Sequence, residues 1–507
     1  MACLGCRGWH PETTSEILPA HYPPANQTRI TNKKIPVSTQ PDLTDTIANA
    51  GDEYTQPAGG EQDAPQNILG TLKYLGPSVI ISATIVGSGE IILTASLGAA
   101  VGYAMLWWVL FSCWSKSILQ AELARYIVLS GDTYLRAINR VPGRIPGPRN
   151  DFAWPIGLGL IGFVTGLTGL GGLIGGAGQA VTLMFPELNT IAVVAVLAVL
   201  AAFFLSSGSY KHLERIMLLF VVTFTVMTIA GVILMQDTEY ATRPQQVLSG
   251  FTFEFSTTFA ILALAAYGFT GVNAGEISGY SYWCIEKGYP ARIGRYDGSD
   301  AWYRRAHGWL KVLRTDVWIT LALLTCATIP FYFLGAGVLH AMGESPTGAD
   351  TIPALSNMYT QTLGPWSLWL FAIGAFCILY SSTVAGVAAG ARYIPDYLIE
   401  LGFLARERVD MRQKIIRGYG VVVPFIGLGM YWGFERPALM VTIAASYAAM
   451  MLPMQSAITI YLQKKRLPAD IQPGPLAKYF LRVTFLVQLI LAACVIYFTI
   501  LTPLFGD

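Results

Sequence analysis

Long apolar runs divide this chain into segments that a lipid bilayer satisfies and water does not. About eleven such runs follow one another, at about 71–100, 104–126, 154–184, 189–207, 214–235, 254–283, 315–341, 365–391, 417–434, 437–462 and 480–503. An α-helix needs about 20 apolar residues to cross the hydrocarbon core. Charged residues make up only 13% of the chain and the mean hydropathy is +0.49, where soluble domains carry roughly 25% charged residues. The expectation is an all-α membrane protein of about eleven transmembrane helices over residues 69–507. Residues 1–68 are rich in Pro, Thr, Asn, Gln and Asp and lack apolar periodicity. Such a segment buries too little apolar surface to fold, so a disordered cytoplasmic tail is expected, with no cleavable signal. A net charge of +2 leaves no general basic field to attract nucleic acid.

The loops test the helix count independently. Lys and Arg accumulate in cytoplasmic loops. If the tail is cytoplasmic, alternate loops should be basic, and they are. Arg136, Arg140, Arg144 and Arg149 lie in one, Lys211 and Arg215 in the next, and Lys287 through Arg314 in a third. Arg406 through Arg417 and Lys464 through Lys478 complete the set. The opposite loops carry little beyond Arg243 and Arg436, and hold Glu187, Asp237, Glu239, Glu344 and Asp350. One miscounted span would scramble this alternation. The expected location is the plasma (cell inner) membrane, amino terminus inside.

Two runs carry a weak point with a carboxylate. The first contains Val86-Gly87-Ser88-Gly89-Glu90, and the sixth contains Gly271-Val272-Asn273-Ala274-Gly275-Glu276. An ionisable residue at bilayer depth is a functional-site hypothesis by default. Broken helices in corresponding places of two halves point to a transporter binding site. The two breaks sit in the first helix of each of two five-helix halves, about 71–236 and 254–462, with an extra helix at 480–503. This predicts a 5+5 inverted repeat. No nucleophile–histidine constellation stands out and nothing asks for a cofactor, so an enzyme is not expected. The glycines from Gly166 to Gly178 predict close helix packing. Glu122 and Arg125, spaced i,i+3, predict a pair at a helix end. Lys116 is expected to snorkel or pair.

Particular motifs carry a family resemblance. Leu75-Gly76-Pro77 opens the first helix and Leu97-Gly98-Ala99-Ala100-Val101-Gly102-Tyr103 ends it. Gln120-Ala121-Glu122-Leu123-Ala124-Arg125 closes the second, Tyr210-Lys211-His212-Leu213-Glu214-Arg215 leads into the fifth, and Ser381-Ser382-Thr383-Val384-Ala385-Gly386 lies in the eighth. Together these resemble the Nramp (natural resistance-associated macrophage protein) family of divalent-metal transporters. The resemblance implies a LeuT-type fold from about residue 71 onward. It departs where the family binds metal. The family's Asp-Pro-Gly-Asn falls on Gly87-Ser88-Gly89-Glu90, and its Met-Pro-His falls on Thr270-Gly271-Val272. The glutamine before Ser-Ser-Thr is Tyr380, and the third-helix glutamate of the proton route falls near Leu173. The resemblance therefore carries over the architecture, not the metal ligands or the proton coupling.

Three readings of the altered site follow. Carboxylate, hydroxyl and carbonyl oxygens suit harder cations, where a thioether favours softer ones. Glu90, Glu276 and Thr270, with Ser88, Asn273 and the backbone near Thr84 and Tyr267, would then hold a divalent ion such as Mn2+ or Mg2+. The alternative is an amino acid or other small organic solute. Exposed amides at Gly87-Ser88-Gly89 would take its carboxylate, with Tyr267, Phe269 and Tyr380 walling it and Gly271 at the sixth-helix break. A transport-inactive sensor or scaffold is the third, opposed by the appearance of two costly carboxylates at the breaks. The expected partners are the substrate ion or solute and the lipid bilayer.

Overall fold

The structure, a computed structural model, describes residue 47 and residues 54–75, 87, 89–207, 210–344, 346 and 348–502. Most of the expected tail, the first half of the first span, Thr84 and Ser88 lie outside the described residues.

Helices dominate. In chain order they are α1 (Ile68–Tyr74), α2 (Gly89–Val101), α3 (Leu106–Ser130), α4 (Tyr134–Ile138), α5 (Trp154–Met184), α6 (Thr190–Ser207) and α7 (Tyr210–Leu234). The second part holds α8 (Pro244–Ser249), α9 (Ala260–Phe269), α10 (Ala274–Glu286), α11 (Tyr289–Ile293) and α12 (Asp300–Met342). It ends with α13 (Thr351–Leu363), α14 (Ser367–Glu400), α15 (Val409–Phe434), α16 (Pro437–Arg466) and α17 (Pro475–Ile496). A two-residue antiparallel pair, Arg144–Ile145 with Phe152–Ala153, closes the loop before α5. Among the described residues, seven helices are long and apolar enough to cross a membrane, taking α9 and α10 as one. Three shorter apolar helices, Gly89–Val101, Thr190–Ser206 and Val222–Asp237, accompany them.

The burial pattern is that of a protein solvated by lipid. Val196, Val199 and Phe203 on α6, Val226 and Ile233 on α7, Trp318 on α12, and Leu486 and Ile490 on α17 all face outward. Glu90, Lys116, Gln120, Asp132 and Asp316 are fully buried. Soluble proteins seldom bury such groups; in a bilayer ionisable side chains face the bundle interior. The glycine run of α5 does what its composition predicts. A Cβ on Gly172 would lie 2.9 Å from Pro437 O of α16, and one on Gly171 would lie 3.0 Å from Gly427 O of α15. Glu122 and Arg125 pair at 3.0 Å as expected.

The described end of the expected tail departs from the reading as disordered. Residues 54–67 pack on the arginine-rich end of the bundle. Gln62 N–H donates to Arg292 O at 2.9 Å and Trp309 Nε1 donates to Gln62 O at 2.8 Å. Gln56 Nε2 donates to Gly294 O at 3.2 Å. Arg412 lies 4.2 Å from the centre of the Tyr54 ring. Composition missed this because the segment folds on partners more than 200 residues away, not on itself.

Asp396 of α14 is the hub of that end. It accepts from Arg412 Nη1 of α15 at 2.6 Å and from the hydroxyl of Tyr282 on α10. Arg412 and Asp396 are both buried, whereas Arg304 and Asp63 form a pair that is about two-thirds exposed. Removing one partner of a buried pair strands the other charge. Arg412→Met should lower stability by about 3–5 kcal/mol, and Arg304→Met by less than about 1 kcal/mol. Thermal unfolding of the purified variants in detergent checks the contrast.

Candidate functional site

The site forms where the start of α2 meets the junction of α9 and α10. Its geometry begins with Gly271, which has φ +73°, a conformation that favours glycine. This residue turns the chain between α9 and α10. A Cβ there would also lie 3.0 Å from Cys113 Cα. On the other side, Gly89 starts α2, and a Cβ on it would lie 2.6 Å from Phe269 O. Gly89 thus lets the start of α2 touch the end of α9 backbone to backbone, and Gly271 lets the α9–α10 turn pack against α3. The first turns of α2, Gly89–Thr94, are wound more widely than an α-helix; such widened turns often mark functional sites.

Glu90 joins the two breaks. Its side chain is fully buried. Oε2 accepts from Gly87 N–H at 3.1 Å, and Oε1 accepts from Gly271 N–H at 3.1 Å. Thr328 Oγ1 of α12 donates to the same Oε1 at 3.3 Å. A carboxylate thereby satisfies amides that the broken helices leave without partners. Thr94 and Thr270 link the same elements through their hydroxyls at 2.8 Å.

Lys116 of α3 completes the opposite end. Its ammonium, fully buried, donates to Tyr267 O and, at 2.6 Å, to Thr270 O. Ser112 Oγ donates to the same carbonyls at 3.2 and 2.9 Å. These are the last carbonyls of α9, where the helix dipole is negative and a cation is favoured. The Lys116 ammonium also sits 5.0 Å from the centre of the Tyr267 ring. Lys116 therefore neither snorkels nor relies on an acidic partner; it caps a half-helix. Sequence reasoning missed this role. The available signal was an intramembrane lysine four residues after a serine, one turn apart on one helix face.

The other expected residues divide. Gly87, Gly89, Glu90, Tyr267, Thr270 and Gly271 come together at the crossing. Asn273 and Glu276 stand just beyond it as the cap of α10. Asn273 Oδ1 accepts from Glu276 N–H at 2.9 Å, and Glu276 Oε2 accepts from Asn273 N–H at 2.9 Å. This reciprocal box faces a cavity of about 310 Å3 that opens beside the sixth-helix break. Tyr380 does not join the site. Its hydroxyl donates to Leu197 O of α6 at 3.0 Å and its ring stacks on Phe376 at 5.4 Å. The motif match placed it on α14, but the rotation of that helix turns it toward α6. Among the described residues, no group of three His, Cys, Asp or Glu side chains is placed to hold a metal ion.

Comparisons with known proteins agree with this architecture. The family model of natural resistance-associated macrophage protein-like (Nramp) proteins matches residues 78–498. An uncharacterized protein of Pasteurella multocida (strain Pm70) is 23% identical over 354 residues, covering 68% of this chain and 75% of that protein. Among solved structures, a mutant of the Eremococcus coleocola manganese transporter superposes with a TM-score of 0.63 at 16% identity, covering 88% of this chain and 90% of that one. MhsT, solved in complex with L-phenylalanine, superposes with a TM-score of 0.53 at 15% identity, covering 86% of this chain and 99% of that one. At these identities the structures show a shared fold.

The cap assigned to Lys116 has a measurable consequence. Lys116→Met removes the charged donor from two buried carbonyls, and hydrogen bonds to charged groups contribute about 1.5–3 kcal/mol each. The variant should unfold at a clearly lower temperature in detergent. An unchanged midpoint would contradict the assignment.

Proposed function

We propose that this chain, which belongs to the Nramp family, is an integral-membrane transporter that carries a divalent metal cation between its two broken helices by alternating access. The observation that carries the reading is Glu90, a fully buried carboxylate bonded to the backbone of both breaks. A charge at that depth is costly unless it serves a partner. Around it lie oxygen donors for a cation, the hydroxyls of Thr94, Thr270 and Thr328 and the carbonyl of Gly89, which Thr94 Oγ1 contacts at 2.9 Å; a sulfur, the buried Cys113 thiol, packs beside Gly271. Oxygen sets suit Mg, Ca and Mn. We assign Glu90 and Thr270 as ion-contacting groups, and Glu276 as the next carboxylate along the route.

In the arrangement seen, both Glu90 oxygens accept backbone N–H groups. An arriving cation would compete with those donors, so ion binding and loosening of the Gly87 and Gly271 contacts would be one event. The two breaks would then act as hinges while one helix bundle rocks against the other. Lys116 supplies a fixed positive charge near the carbonyls of Tyr267 and Thr270. It would keep a metal ion off those carbonyls and favour the Glu90 side of the crossing. The basic loops support a cytoplasmic position for the arginine-rich end, and the plasma membrane is the location we assign.

A solute reading starts from a different feature. Gly87 and Gly271 leave amides at half-helix ends that suit a substrate carboxylate, but in this structure Glu90 occupies both. That occupancy favours the metal over an amino acid at the break.

Proteoliposome uptake of Mn2+, Mg2+ and Ca2+, run beside a panel of amino acids and repeated with Glu90→Gln, tests the proposal. The expected result is saturable uptake of one divalent cation, reduced at least about tenfold in the variant, a change of about 1.4 kcal/mol in transition-state stabilisation. Amino-acid uptake without metal uptake would overturn it, as would metal uptake indifferent to Glu90→Gln.

A further inference from the structure

The cavity beside Glu276 has an aromatic wall that the metal reading, which takes only the Glu276 carboxylate from it, does not use. It lies among α5, α10, α14, α15 and α16 and has a volume of about 310 Å3, at the lower end of the range for small-molecule sites. Its wall is largely apolar and aromatic. Phe163 stands at the centre of the aromatic part, with ring centroids 6.5 Å from Tyr397 and 5.8 Å from Tyr419. Tyr447 lines another side.

The polar groups on this wall share one electrostatic sign. Glu276 offers a carboxylate whose Oε2 is bonded to Asn273 N–H at 2.9 Å, while Oε1 accepts no hydrogen bond among the described residues. Gln455 of α16 is 3% exposed. Its Nε2 lies within hydrogen-bond distance of Ala274 O, Ser278 Oγ and Tyr134 Oη, at 2.9–3.0 Å, and its two N–H groups can serve two of them at once. Ala274 O can only accept, which fixes the orientation of the amide and leaves Oε1 as a buried acceptor without a partner. A buried polar atom left unpaired in a native structure calls for an explanation, such as an absent ligand or water. Among the described residues, no Lys, Arg or His lines the cavity. A carboxylate, an unpaired carbonyl oxygen and tyrosine ring faces all attract positive charge, the last through the ring quadrupole.

We propose that this cavity binds a small organic ammonium ion, its charge on Glu276 and its apolar body against Phe163, Tyr397 and Tyr419. A bare or hydrated metal ion would leave the aromatic wall unused. A protonated amine supplies N–H donors for the Glu276 carboxylate and carbon for the rings. The inference concerns binding in the cavity and is independent of whether metal crosses at Glu90.

The test uses the full-length protein in lipid nanodiscs, with no metal added. The probes are 2-phenylethylamine, protonated at neutral pH, and its uncharged near-isostere 2-phenylethanol, titrated by calorimetry. Glu276→Gln keeps the reciprocal cap of α10, since Gln serves in that box as Glu does, so it removes charge without removing the helix start. Gly386→Leu fills the cavity from a position where a Cβ meets nothing within 4 Å. The expected result is saturable binding of the amine at least about tenfold tighter than the alcohol, a difference of about one decade in Kd. Glu276→Gln should bring the amine down to the level of the alcohol, and Gly386→Leu should abolish both. Equal binding of the two probes would overturn the proposal. So would amine binding unchanged in Gly386→Leu, or no saturable binding up to about 10 mM, the weak limit of specific affinity. Metal uptake is read in a separate assay, so either reading can fail while the other stands.

Discussion

A peptide group inside a bilayer has no water to bond with, so every amide and carbonyl freed by a broken helix must find a partner in the protein. Two charged side chains perform that task here, one at each polarity of the backbone. Glu90 accepts from the amides of Gly87 and Gly271, where half-helices expose N–H groups. Lys116 donates to the carbonyls of Tyr267 and Thr270, where α9 ends and exposes oxygen. A helix dipole is positive at its amino end and negative at its carboxyl end, and the signs of the two side chains match. The crossing therefore holds two breaks, a carboxylate and an ammonium in a mutually satisfied set. Changing one charge disturbs backbone groups on elements distant in sequence.

This arrangement explains how much of the site could be read in advance. The spans follow from apolar run length alone, and the breaks follow from Gly87, Gly89 and Gly271, because glycine is what permits a turn and a close approach at bilayer depth. Glu90 was legible because its neighbours on both sides are apolar, so a carboxylate there has no escape to water. Lys116 has the same kind of surroundings, yet a long side chain can reach an interface, and the sequence does not say whether it does. Its partners are carbonyls of α9, more than 150 residues away, and backbone carbonyls leave no mark in a sequence. Tyr380 stands apart from the crossing for a related reason. A motif match fixes a residue's place along a helix, but not the face that packing turns inward. Residues 54–67 read as unstructured because they lack a core of their own; the loop after α10 and the base of α12 supply one.

The family resemblance and the structure bear on different links of the argument. The resemblance concerns the frame: helix number, the paired breaks and the glycine-lined packing of α5. The departures at Gly87, Thr270 and Tyr380 concern the chemistry, and there the geometry has its own logic. The resemblance implies an aspartate where Gly87 stands, and the carboxylate of this chain lies three residues later. From Glu90 it folds back to the Gly87 amide, so the charge returns to nearly the same place along the break while also reaching across to Gly271. A carboxylate displaced in sequence can thus still serve the crossing, but as a clamp between two backbones as well as a ligand.

That dual role limits how an ion can bind at the crossing. A cation that draws on Glu90 must weaken its bonds to Gly87 and Gly271, and those bonds hold the two breaks together. Lys116 is not subject to the same competition, because a metal ion and an ammonium repel. The carbonyl end of the crossing would then stay capped while the amide end opens. Such an asymmetry gives the rocking motion a fixed side and a mobile side. The mobile side would be the Glu90 end of α2, where Gly89 lies against Phe269 with no room for a side chain. The fixed side would be α3 and α9, tied by Lys116, by Ser112 and by the Ser115–Tyr267 hydroxyl contact at 3.0 Å. Under the proposed function, the binding energy of the cargo would be coupled to conformation through Glu90, on which both the ion and the two backbone amides would draw.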